Sequence, residues 1–344
     1  MLDRIAISFL LLVWSWSASA QNVESIKSRE RFHEALHRND YAEVERLHNF
    51  LVSGKNRTAQ GVFLADIHTD FSDLTDCNHN VARGPVGTAP TPAMDSESCR
   101  IQQESRLDAW AKKYPSSVLP FVGRSITYID RANSLNPVQH SASIARDKYL
   151  DQALLALDAA PAKIREPIWY VTRMEVATLQ GWGSKRYWPL VTEAASKFPG
   201  HSLIYRKALN HFLPRNGGSA KEIEELAQLA VSKSMRLDGS SMYAHIYDEV
   251  ILGQGGLWQN AYLQTELSWP TMRLGLEDIY KRFPDPWNLN RFAQHACLAS
   301  DMPTLKRLLS SMRKDEVPTA YDGWGRGELT RCRELAARKP TAGR

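Results

Sequence analysis

Ala195-Ser196-Lys197-Phe198-Pro199-Gly200-His201-Ser202-Leu203-Ile204-Tyr205-Arg206-Lys207-Ala208-Leu209-Asn210-His211-Phe212-Leu213-Pro214-Arg215-Asn216-Gly217-Gly218-Ser219 is read first, because it holds two helix ends, one whole helix and the start of another. A cation, an aromatic and then a proline close one helix at Phe198. The cation suits the negative end of the helix dipole, and proline disfavours helix in the residue before it. Ile204, Ala208 and Phe212 recur four apart, so the spacing predicts a second helix over 202–212. Pro214 and the Gly217-Gly218 pair stop it. Ser219 with Glu222 forms a capping box, and Ile223, Leu226, Ala227 and Ala230 give the next helix one apolar stripe. Gly239 is placed to end that helix.

The aromatic–proline corner occurs twice more, at Tyr114-Pro115 and Phe283-Pro284, so that the three prolines lie 84 and 85 residues apart. Five residues before them stand Trp110, Ala194 and Ile279; eight before stand Leu107, Val191 and Leu276. An apolar helix follows each corner, carried by Val118, Phe121, Val122 and Ile126, by Ile204 and Ala208, and by Phe292, Ala293 and Ala296. A second hairpin is readable after each, around Pro161, Gly239 and Pro318. Fixed-period similarity is the mark of stacked repeats, and this period fits two helical hairpins per unit. The expected fold is all-α: a solenoid of antiparallel, tetratricopeptide-like helical hairpins in a single elongated domain over 100–339, with a tail at 340–344.

The N-terminus reads as a processing signal over residues 1–20. Arg4 precedes an apolar run from Ile5 to Trp16, and Ala18 and Ala20 suit signal-peptidase cleavage before Gln21. The run is short for a membrane span, which takes about 20 residues, although an N-terminal anchor is the alternative. Residues 21–75 begin with a helical pair: Phe32, Ala35 and Leu36 on one helix, an Asn39-Asp40 turn, then Tyr41, Val44, Leu47 and Leu51. A further short helix is expected to begin at Gly61-Val62-Phe63-Leu64. The expected compartment is the bacterial periplasm or the medium, with no stable membrane insertion after cleavage.

Export gives the four cysteines a meaning. The local pairings are Cys77–Cys99, which would close the neck of an aperiodic Gly-, Pro- and Ser-rich loop at 76–99, and Cys297–Cys332. A buried free thiol is the alternative for Cys297. The net charge of +5 is modest for 344 residues and is not gathered in one block. Arg326, Arg331, Arg333, Arg338 and Lys339 lie along a final helix as a solvated face, so no nucleic-acid partner is expected.

One motif carries catalytic chemistry on paper. His33-Glu34-Ala35-Leu36-His37 matches H-E-x-x-H, in which two imidazoles on one helix face hold zinc and the glutamate acts as base. Here Arg29, Glu30, Arg31 and Arg38 surround it, and Asp40 and Glu43 stand where the extended form has a glycine and a third histidine. His33 and His37 therefore read as a helix flank, and a zinc hydrolase is the alternative reading. His48 is the nearest spare imidazole. Asp66, His68, Asp70 and Asp73 read as exposed loop residues. No phosphate-binding loop, dinucleotide fingerprint or nucleophile elbow is present, so no cofactor is expected. The aromatics between hairpins point elsewhere. Trp182 and Trp188 with Arg186, in the segment from Gly181 to Pro189, are the residue types that dominate binding hot spots; Trp258, Trp269, Trp287 and Trp324 follow later in the chain. A non-enzymatic scaffold for a protein or peptide partner is the leading expectation.

These residues resemble a bacterial family known as domain of unknown function 4034. The match rests on Phe32, Glu34, Ala35-Leu36 and Asp40-Tyr41; on Tyr114-Pro115-Ser116 and Phe283-Pro284; on Pro214-Arg215, Gly217-Gly218-Ser219; on Ala296-Cys297 and Asp301; and on Trp324-Gly325 and Cys332. The family usually has tryptophan where this chain has Asn216. The resemblance implies a helical, tetratricopeptide-like fold and carries no catalytic residues.

Overall fold

A computed structural model describes residues 30–52, 57, 61, 96–135, 140–252, 262, 265–312 and 328–338. Among them the protein is all-helical, with no strand: helix takes up 82% of the residues, in two short 3₁₀ turns and fourteen α-helices. They are α1 (30–37), α2 (Tyr41–Val52), α3 (Ser96–Lys113), α4 (Leu119–Asn133), α5 (His140–Asp158), α6 (Pro167–Leu179), α7 (Ser184–Lys197), α8 (Ser202–Phe212), α9 (Ala220–Asp238), α10 (Ser241–Leu252), α11 (Trp269–Arg282), α12 (Pro286–Leu298), α13 (Met302–Ser311) and α14 (Glu328–Ala337).

The three corners end helices as the sequence predicts. The amide N–H groups of Tyr114, Phe198 and Phe283 donate to the carbonyls of Trp110, Ala194 and Ile279, at 2.9, 2.9 and 2.8 Å, closing the last turns of α3, α7 and α11. The next helix starts within a few residues of each proline. Trp110, Ala194 and Ile279 are buried, as are Leu107, Val191 and Leu276 one turn earlier. Of the residues expected on α4, Val118 and Val122 are buried but Phe121 and Ile126 are only partly so; Gly123, Ser125 and Ile129 complete the packed face instead. Small side chains there let a neighbouring helix approach, and α4 packs on α5 more extensively than any other pair.

The helix after each corner packs on the two helices that follow it: α4 on α5 and α6, α8 on α9 and α10, α12 on α13 and α14. The chain nevertheless divides into two compact units, Met1–Asn56 with Phe63–Leu190, and Arg57–Val62 with Val191–Arg344. The single-domain expectation is corrected accordingly. The division falls inside α7, between Leu190 and Val191, next to Pro189, which removes one helical hydrogen bond there.

In the first unit, Tyr41 stacks on Trp110 with ring centroids 4.9 Å apart, and the Trp110 indole N–H donates to Glu45 at 2.7 Å. These contacts pin the α1–α2 pair to α3. The loop limit at residue 99 is also corrected. Helix α3 already begins at Ser96, so Cys99 lies in its first turn, and Cys99 is disulfide-bonded. Cys77 lies outside the described residues, as do the segments read as the signal and the loop, the helix expected from Val62, the Asp66–Asp73 cluster, Pro318, Trp258, Trp324, Arg326, Lys339 and the tail. In the second unit, Cys297 and Cys332 form a disulfide between α12 and α14, both cysteines buried. Among the described residues no helix is long and apolar enough to cross a membrane.

Candidate functional site

The turn between α6 and α7 builds the surface to which Trp182 and Arg186 belong. Gly181 adopts a left-handed φ of +64°. Its N–H donates to Thr178 O at 3.0 Å, and the Trp182 N–H reaches back to Ala177 O at 2.9 Å. This double closure is the Schellman motif, and it fixes the Trp182 backbone at the second position beyond the helix. Gly183 then starts α7, its carbonyl accepting from the N–H groups of Arg186 and Tyr187. Equivalent turns at Asn39-Asp40 and Ser300-Asp301 place a capping aspartate where this one places tryptophan.

The indole is held as well as its backbone. Trp182 Nε1–H donates to Gln180 Oε1 at 2.8 Å, and Gln180 Nε2–H donates in turn to Asp151 Oδ1 at 2.8 Å. The Arg186 guanidinium carbon sits 3.4 Å over the Trp182 ring centroid. At that separation the guanidinium has to lie nearly flat. Turned edge-on, a terminal nitrogen would stand about 1.3 Å closer, inside van der Waals contact. Trp182 is half-buried, and Lys185 and Arg186 are exposed. Tyr187 points the other way, fully buried, and burial pushes its hydroxyl above the ordinary phenol range despite a hydrogen bond with Thr178. Trp188 is half-buried and lies on α7, not between hairpins as expected. The buried Tyr187, Leu190, Val191 and Ala194 hold that turn helical through the proline.

His33 is half-buried and His37 exposed on α1, and Glu34 pairs with Arg38 at 3.3 Å. Among the described residues no group of three His, Cys, Asp or Glu side chains is arranged to hold a metal ion. His48 is not spare: its Nε2 lies 2.6 Å from Glu166 Oε2 at the start of α6.

A polar network in the second unit was not found in the sequence. His295 on α12 is fully buried; its Nε2 lies 2.7 Å from Asp248 Oδ1 on α10, and its Nδ1 lies 3.2 Å from the Tyr262 hydroxyl. The two ring nitrogens thus bridge the Asp248 carboxylate and the Tyr262 phenol. Arg291 donates to Asp248 Oδ2 at 2.8 Å and to Gln294 at 3.2 Å, and Gln294 donates to Glu328 at 3.0 Å. Burial works against the Asp248 carboxylate, but the His295 hydrogen bond and the Arg291 charge prevail and bring its pKa down to about 2. Burial raises the Tyr262 hydroxyl, and the Asp248 charge raises it further. The phenol is therefore held in its neutral form. His295 lies 33 residues from Tyr262 and 47 from Asp248 in sequence, beyond the reach of any spacing rule.

Comparison of the chain with family models, curated proteins and solved structures finds no match.

Proposed function

We propose that the protein is an exported, non-enzymatic helical-repeat scaffold that binds a protein or peptide partner at the Trp182–Arg186 surface. The observation that carries this reading is the preset indole: a half-buried tryptophan with its backbone locked by the α6–α7 turn, its ring edge held through Gln180 and its face covered by an exposed arginine. Order established before binding does not have to be gained on binding, and aromatic and arginine side chains are the ones that anchor interfaces. The proposed solenoid is supported by the four-helix rhythm, in which each corner is followed by one helix that packs on the next two. Membership of the domain of unknown function 4034 family, signal cleavage after Ala20 and a bacterial periplasmic or secreted location are parts of the same proposal.

Crosslinking in the native envelope, followed by affinity capture and mass spectrometry, tests it. One protein is expected with the wild-type chain and absent with Trp182→Ala. Capture of the same proteins by both would overturn the assignment of the surface. Metal analysis tests the hydrolase alternative: stoichiometric zinc lost with His37→Ala would establish it in place of the scaffold.

A further inference from the structure

Arg186 is distinguished by what it lacks. Elsewhere among the described residues, arginines that touch aromatic rings also meet a carboxylate or a carbonyl. Arg173 lies over Trp169 and pairs with Asp158; Arg131 lies over Tyr128 and pairs with Glu104; Arg291 lies over Trp287 and pairs with Asp248. Arg165 lies over Trp169 and donates to the Ala160 carbonyl. Arg186 lies closest of these to its ring, is exposed, and has no ion pair or hydrogen bond with a described side chain. Flat stacking occupies one face of the guanidinium and leaves the N–H groups in its plane, at the edge. That edge is the fork which matches a carboxylate with two parallel hydrogen bonds.

The surroundings have the same sign. Lys185 is exposed beside Arg186, and the first turn of α7 carries no acidic residue. Two cations at a helix N-terminus oppose the dipole, where acidic residues are normally favoured. Asp151, on α5, keeps its charge but accepts a hydrogen bond from Gln180. A partner that supplies negative charge here relieves the mismatch.

We propose that the Trp182–Arg186 surface recognises an acidic peptide segment, one aspartate or glutamate carboxylate taking the outer edge of Arg186 while the neighbouring chain covers the indole. This rests on the partner-binding reading above and specifies the chemistry of that partner.

The test is fluorescence anisotropy with the intact mature chain. The probes are a labelled peptide of alternating Glu and Gly, the same peptide with Gln for Glu, and an oligothymidylate of similar length. The Glu peptide is expected to bind about tenfold tighter than the Gln peptide, as a charge-assisted bidentate contact implies. Arg186→Gln is expected to remove that preference. Arg186→Lys keeps the charge but loses the fork, and should lose most of it. Lys221→Gln, an exposed charge on α9, should leave it within about twofold. Circular dichroism on each variant separates loss of binding from loss of fold. Equal affinity for the Glu and Gln peptides, no binding of either, an unchanged Arg186→Gln variant, or preferential binding of the oligothymidylate would each overturn the proposal. If the envelope partner is still lost with Trp182→Ala while the Glu peptide fails, the binding surface stands and its acidic specificity falls. If neither result holds, both fall.

Discussion

Gly218 is the position where a single atom decides the most. A Cβ built there would stand 2.1 Å from the carbonyl oxygen of Phe212, and backbone cannot swing aside as a side chain can. Gly218→Ala is therefore expected to destabilise the protein by about 1–3 kcal/mol or more, read as a lower urea midpoint. Gly183→Ala is the control, because nothing lies within 4 Å of its added methyl and its φ is ordinary. It should be neutral or slightly stabilising through the unfolded chain. Trp110 is the opposite case, a fully buried ring with a stacking partner and a satisfied N–H. Trp110→Ala should cost about 3–5 kcal/mol, the usual range for emptying an aromatic site. Asp248 belongs to this scale through its charge. Its folded pKa of about 2 lies below the ordinary value of about 3.9 for a free aspartate. The carboxylate thus contributes stability that is fully present above about pH 4 and is lost as pH falls through about 2. Glu43, bound by Arg46 and Arg31 and also lowered to about 2, acts over the same window. Asp248→Asn should flatten the decline of the thermal midpoint between about pH 4 and pH 2 without abolishing it. An unchanged slope would deny the pairing with His295 and Arg291.

Helix ends are the element-scale feature that the sequence made legible, because each is a local decision. Phe198 closes α7, Ser219 opens α9 by accepting the Glu222 N–H at 3.3 Å, and Gly239 ends α9 with a φ of +59°. A few adjacent residues settle each of these. Where the reading failed, the cause was distance or competition. The segment from Gly181 to Pro189 was read as lying between hairpins, yet four buried neighbours keep its second half helical through Pro189. Gly and Ser near Cys99 suggested a loop, yet the helix that buries Leu107 and Trp110 extends back to Ser96. The Asp248–His295–Tyr262 network joins elements that no local pattern relates. The Cys297–Cys332 pairing was readable because these are the two cysteines nearest each other in the second half of the chain. The bridge spans 35 residues, so the chain-entropy relation gives it about 3–4 kcal/mol. Replacing both cysteines by alanine should lower the urea midpoint accordingly and loosen the α14 amides first in hydrogen exchange.

At the scale of the whole molecule, the all-α class was legible and the division into two units was not. Periodicity reports which residues share a face, but the break inside α7 depends on which faces the chain finally brings together. Trp182, Arg186 and Trp188 were singled out by residue type alone. Their roles separated only when the turn geometry placed Trp182 under Arg186 and left Trp188 on the helix. The central claim is that this preset surface is where the partner lands. Amide hydrogen exchange on the intact chain, with and without the partner captured from the envelope, tests it most directly. The account predicts slowed exchange concentrated over residues 180–188. Protection elsewhere, with those amides exchanging as in the free protein, would contradict it.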